Sequence, residues 1–241
     1  MSQIINFITN PNYLLSDPPL PKPIKLNIPE WYKKLKSSHE LLTIKGCMPF
    51  LDTLTTGYVL ELPQDFVLVH NIIENGKQIT KFEPSLYNKP NGLNMNFKEE
   101  TQSHAPEQLK GSPLEHKNLH LPVHKILNPW IIKTPPGYSC LFVPPLNNTD
   151  DRFSIIPGIV DTDKFQNEIN FPFIVNGDKY SVLNTILKKK TPYVQIIPFK
   201  RENWQMKIGK ITKQDPINYW KYLTNFFQQY KTKFHQRKQW R

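Results

Sequence analysis

The sequence predicts a mainly β protein, a barrel or sandwich of short strands, on three observations. Between residues 126 and 199, short β-branched and aromatic runs alternate with turn residues, and no helical period fits them. The 23 prolines against 9 glycines favour rigid, extended connections over long helices. A sustained three-and-four spacing of apolar residues occurs in one place, after Asp215.

Taken in order, residues 1–27 read as an extended arm, because Asn10-Pro11, Asp17-Pro18-Pro19 and Pro21-Lys22-Pro23 interrupt any helix. Residues 29–35 suit a short helix with Pro29 at its start and Trp31 and Leu35 on its buried face. Residues 43–73 read as strands around Gly57. Tyr58, Leu60 and Leu62 alternate with Val59 and Glu61, and the pattern resumes over 66–70 after Pro63-Gln64-Asp65, which predicts a hairpin. Asn75-Gly76 marks a second hairpin, bringing Ile72 and Ile73 against residues 79–82. The stretch at about 83–125 is polar and turn-rich.

The central strands are expected over 130–143, 158–175 and 192–199 of one barrel, with the turn Thr134-Pro135-Pro136-Gly137 after the first run and Asp161 in a turn between two strands. Residues 207–211 read as an edge strand. Asp215 is a good N-cap with Pro216 behind it, and Trp220, Leu223, Phe227, Tyr230 and Phe234 form the apolar stripe of a C-terminal amphipathic helix. The expected organisation is an arm and short helix over 1–42, a β domain over 43–211, and a helix with a basic tail over 212–241.

The net charge is +11. A basic surface gives salt-sensitive affinity for polyanions. Basic residues occur in short runs such as Lys33-Lys34, Lys188-Lys189-Lys190 and Lys200-Arg201, and Lys231, Lys233, Arg237, Lys238 and Arg241 of the tail are the candidates for weak nucleic-acid contact. No signature of a common nucleic-acid-binding module, phosphate loop or catalytic triad is present. Cys47 and Cys140 make no disulfide framework, no run has the length of a membrane-spanning helix, and the start lacks the design of a signal peptide. The expected setting is therefore a reducing cytoplasm, without membrane attachment. His116, His120 and His124 recur every four residues and would share one face of an extended chain, but that spacing separates the rings by roughly 13 Å. No metal site is assigned to them.

Three segments carry a resemblance to a known family: Thr134-Pro-Pro-Gly-Tyr138, Gly158-Ile-Val-Asp-Thr-Asp163, and Lys188-Lys-Lys-Thr-Pro-Tyr-Val-Gln195. In order and spacing they resemble the motifs of the trimeric dUTPase and dCTP deaminase family, over about a third of the chain, with Gly57-Tyr58 similar to its first motif. The chain also resembles an uncharacterised group of bacteriophage-encoded proteins that share Asn128-Pro129-Trp130, Pro-Pro-Gly-Tyr-Ser-Cys and Val-Asp-Thr-Asp. The family resemblance implies a dUTPase-like β-clip fold with an insertion at about 83–125, a homotrimer and a nucleotide ligand. It implies Asp161 and Asp163 as catalytic carboxylates, and Gln195, Phe165, Gly57 and Tyr58 as ligand-binding residues. Asp161-Thr162-Asp163 has two further readings, since Asp commonly caps the backbone of a turn and two carboxylates around one tight turn could hold a divalent cation through oxygen ligands.

The departures point away from catalysis. The family's triphosphate-binding Arg-Ser-Gly is replaced by Pro144-Pro145-Leu146, and phosphate needs donors that prolines lack. Lys164 displaces the aromatic that follows the second Asp to Phe165, and the Gly-rich C-terminal lid has no counterpart. The leading expectation is a phage-encoded, oligomeric binding or virion-associated protein of the host cytoplasm, without dUTPase activity or cofactor. The alternative is a divergent nucleotide-binding or nucleotide-hydrolysing enzyme, a pyrophosphatase or deaminase using Mg²⁺. A third reading is nucleic-acid association through the basic tail.

Overall fold

The computed structural model describes residues 3–38, 41, 43–85, 101–210 and 230–241. They are mainly β. The strands are β1 (Asn6–Ile8), β2 (Lys22–Pro23), β3 (Tyr58–Glu61), β4 (Phe66–Glu74), β5 (Lys77–Pro84), β6 (Thr101–His104), β7 (Val123–Ile126), β8 (Ile131–Lys133), β9 (Tyr138–Val143), β10 (Phe153–Ile155), β11 (Gly158–Val160), β12 (Phe171–Val175), β13 (Leu183–Leu187) and β14 (Pro192–Lys200). Short helices α1 (Pro11–Leu14), α2 (Glu30–Lys34), α3 (Met48–Thr55) and α4 (Pro113–Lys117) punctuate them. The sheets run β11-β9-β14-β3-β2, β10-β12-β7-β6, β13-β4-β5 and β1-β8.

The chain divides into two compact units, Met1–Lys22 with Gly57–Lys200, and Pro23–Thr56 with Arg201–Arg241. In the first, the larger, side chains from the four sheets share one core, including Leu60, Leu68, Phe82, Ile132, Phe142, Phe173, Leu187 and Ile196. The β13-β4-β5 sheet meets the β10-β12-β7-β6 sheet through rings: Phe82 lies 4.6 Å from Phe66 and 4.9 Å, edge-on, from Phe173. Burial of such rings is the main driving force for the unit.

The Asn75-Gly76 hairpin forms as the sequence predicts. Ile72 pairs with Ile79 and Glu74 with Lys77, and both turn residues take positive φ, 50° and 74°, as the tight two-residue turn requires. The hairpin expected at Pro63-Gln64-Asp65 does not form. β3 joins β14 while β4 joins β5 and β13, because Leu62 is held by backbone hydrogen bonds to Thr191 and Lys190 and the chain passes there from one sheet to another. Residues 43–56, expected as strand, are helical over much of their length: Met48 and Leu54 are the buried residues of α3, and the Thr53 and Thr55 hydroxyls donate to carbonyls of the preceding turn.

The arm lies on its own chain. β1 pairs with β8, Phe7 packs edge-on to Tyr58 at 5.5 Å and Tyr13 to Trp130 at 6.0 Å. Asn10 caps a four-residue helix that the proline count had argued against, through Asn12 N–H donating to its Oδ1 at 2.9 Å. In the second unit, Tyr32 is the buried residue of α2 in place of Trp31 and Leu35, stacked on Phe50 at 5.8 Å with Lys45 Nζ 4.7 Å from its ring centre. Residues 207–210 form no strand. Most of the predicted C-terminal helix, and the part of the 83–125 stretch at 86–100, lie outside the described residues. Tyr230–Phe234 form a single wide helical turn. Among the described residues no helix is long and apolar enough to cross a membrane.

Candidate functional site

Two of the motif turns stand side by side because β9 and β11 are antiparallel neighbours, with Val160 opposite Cys140. Tyr138 N–H donates to the Pro135 carbonyl at 3.2 Å and Gly137 has φ of 83°, so Pro136 and Gly137 fill the positions that suit a type II turn. Asp161 starts the facing turn, its carbonyl accepting from the N–H groups of Lys164 and Phe165, both at 2.8 Å. Three side-chain links join the turns. Thr134 and Thr162 share a hydroxyl contact at 2.7 Å, Gly137 N–H donates to Asp163 Oδ2 at 2.8 Å, and Ser139 Oγ donates to Asp161 Oδ1 at 2.6 Å. Thr162 is fully buried and donates to Cys140 Sγ, and burial pushes that thiol up to about 11, which leaves it unreactive at neutral pH.

Gln195 is fully buried on β14, and its Oε1 accepts from Leu146 N–H at 3.0 Å. The Pro144-Pro145-Leu146 segment thus offers that N–H to a glutamine. Gln195 stands opposite Val143 of β9, whereas Asp161 continues the β11 register to Ser139. Four residue steps of strand separate those positions, about 13 Å at ~3.3 Å each. Within one chain the fold therefore brings Asp161 and Asp163 together and keeps Gln195 away from them. Phe165 follows in the Asp161 turn and is partly exposed. Gly57 and Tyr58 belong to the β3–β14 pairing, where Tyr58 faces Ile196. A Cβ on Gly57, whose φ is 81°, would lie 2.1 Å from the Ile196 carbonyl oxygen, so glycine is required there by the backbone alone.

The cleft beside Pro144 and Pro145 holds about 140 Å³ and is lined also by Asp150, Asp151 and Tyr193. Its carboxylates are paired: the Arg152 guanidinium holds Asp150 below the usual carboxylate range, and Lys179 does the same for Asp151. The lysine run before β14 is also anchored. Lys188 Nζ lies 3.0 Å from Asp65 Oδ2, Lys189 N–H donates to Asp65 Oδ1 at 2.7 Å, and Lys189 Nζ donates to the Asp17 carbonyl at 2.9 Å.

The three regularly spaced histidines do not share a face. His116 lies in the last turn of α4, with the His120 ring 5.0 Å away at a right angle. His120 takes a positive φ and contacts Glu115, and His124 alone turns into the core from β7. There it meets a residue the sequence reading passed over, His70, which continues the inward alternation of Phe66 and Leu68 on β4; that alternation was the available signal. Burial lowers both rings to about 4. Among the described residues no group of three or more His, Cys, Asp or Glu side chains is placed to hold a metal.

The positive charge is not spread as the short runs suggest. The larger unit carries 16 Lys and Arg against 15 Asp and Glu, and the smaller unit 15 against 5, so +10 of the net +11 belongs to the smaller one. Its tail residues Lys231, Lys233, Arg237, Lys238 and Arg241 are exposed. Lys238 is tied with His235 to the Asp52 carboxylate. Burial acts to raise that carboxyl, and the hydrogen bonds from Lys238 and His235 outweigh it, holding it below the usual range.

No family model matches the chain, and no curated protein matches it either.

Proposed function

We propose that the protein is a non-catalytic, self-associating binding protein of the bacteriophage kind, acting in the host cytoplasm or on the virion, on a dUTPase-like β-clip whose hydrolytic positions serve the fold. One observation carries this reading: Asp161, Asp163 and Gln195 each direct a side-chain oxygen at a hydrogen bond that joins turns or strands. A water-activating carboxylate needs an oxygen facing substrate in an electropositive pocket. The nearby cleft is lined instead by paired aspartates and prolines. The test is turnover of dUTP and dCTP with magnesium. None is expected; turnover at ordinary enzyme rates, abolished by Asp161→Asn, would establish the nucleotide-hydrolysing alternative.

The concentration of +10 on the smaller unit favours a second reading, in which that unit holds a nucleic acid through phosphate contacts. Such binding draws its affinity from counterion release and needs no base-reading motif.

A further inference from the structure

We infer that residues 204–208 are a strand that adds to the open β11 edge of a second copy of this chain. The inference rests on the self-associating reading above and names the surfaces that would achieve it. Trp204, Met206 and Ile208 are 87%, 86% and 86% exposed. They occupy alternate positions, with Gln205 and Lys207 between them. On an extended backbone this period places the three apolar side chains on one face and the polar ones on the other. Among the described residues, 203–210 have neither strand pairing nor backbone hydrogen bonds, so both a row of amide groups and an apolar face are left for another surface.

Among the described residues several sheet edges are open, and charge separates β11 from two of them, β13 and β5. The donor segment carries Lys207 and Lys210, with Arg201 just before it. β13 runs directly into Lys188-Lys189-Lys190, of which Lys188 is paired with Asp65, and β5 carries Lys77 and Lys81, the latter paired with Glu83, so both present net positive charge to it. Among the described residues β11 has β9 as its single neighbour, and it is followed by Asp161, Asp163 and Glu168, with one opposing charge, Lys164, among them. It also presents apolar surface to solvent, with Ile159 63% and Phe165 41% exposed. Strand addition at such an edge takes affinity from main-chain hydrogen bonds and register from alternate side chains.

The test combines mass and proximity. Light scattering at micromolar concentration should give a multimer for the natural chain and a single-chain mass for Trp204→Ser/Met206→Ser/Ile208→Ser, with circular dichroism unchanged because all three side chains are exposed. In a Cys47→Ser background, a copy carrying Met206→Cys mixed with one carrying Ile159→Cys should give a disulfide-linked pair, and Ile186→Cys on β13 should not. A single-chain mass for the natural protein would overturn both this inference and the self-associating reading. A multimer that survives the triple substitution, or equal linkage to β13, would overturn the strand assignment and leave self-association standing.

Discussion

His70 and His124, on strands of two different sheets, meet on the hydroxyl of Thr80, which lies 3.4 Å from His70 Nδ1 and 3.1 Å from His124 Nε2. The same hydroxyl is 3.1 Å from the Val69 carbonyl. A carbonyl can only accept, so the Thr80 proton goes to Val69 and the Thr80 oxygen accepts from both rings. That network assigns each ring one N–H and a neutral state. His70 Nε2 is then a buried lone pair with no partner among the described residues. Protonation would place a hydrogen there with nothing to receive it, and protonating both rings would set two like charges side by side.

Acid should therefore loosen the contact between these two sheets. Both rings titrate near 4 in the folded chain instead of 6.5, so the unfolded state binds more protons below about pH 6.5. Stability is full above that value and falls as pH drops towards 4, by on the order of 3 kcal/mol for each ring. Urea midpoints at pH 7.5, 5.5 and 4.5 would show the loss. His124→Phe, which keeps an aromatic against Phe82 and Phe173, should remove part of the slope; an unaltered slope would place the acid sensitivity elsewhere.

Gly57→Ala should destabilise by at least about 2 kcal/mol, since a methyl at a φ of 81° would meet the Ile196 carbonyl oxygen at 2.1 Å. Only movement of β3 away from β14 could relieve the clash. A drop of less than about 0.5 kcal/mol in chemical denaturation would show that the β3–β14 pairing tolerates it.

Asp65→Ala should cost about 1–3 kcal/mol. It leaves the Lys189 N–H without its acceptor and frees Lys188. Asp65→Asn, which keeps an acceptor for the N–H, should lose less. Equal losses from the two would assign the effect to the Lys188 charge pair.

If the smaller unit holds a nucleic acid, affinity for a labelled single-stranded oligonucleotide should fall steeply with salt. The log–log slope is about −0.7 for each phosphate neutralised. Lys231→Ala/Lys233→Ala should flatten that slope while changing affinity equally for different sequences. A slope near zero in the natural chain would end the reading.

How far the sequence led differs from element to element. Asn75-Gly76 was legible because its φ requirement fixes both a residue type and a pairing, and Pro136-Gly137 was legible for the same reason. The alternation of Tyr58, Leu60 and Leu62 identified a strand but not its partner, since period two states which face is buried and is silent on which neighbour supplies hydrogen bonds. That neighbour, β14, lies far along the chain. α3 was misread because Thr53, Thr55 and Thr56 suggest β structure, and tertiary burial of Met48 and Leu54 overrides that preference. The Asp161 and Gln195 motifs were visible as strings. Their present hydrogen-bond partners, Ser139 and Leu146, depend on strand register and could not be read from spacing.

The smaller unit is built from Pro23–Thr56 and Arg201–Arg241, and this has a consequence for the order of events on the ribosome. Its first segment emerges early, carrying Trp31, Tyr32 and Phe50 as a local ring cluster. The residues that supply His235 and Lys238 to Asp52 are made only after the β unit. At roughly 5–20 residues per second, the early half waits on the order of ten seconds for its complement while the whole β unit is synthesised between them. Vectorial synthesis thus gives the β unit the first opportunity to fold and makes closure of the basic unit the later step.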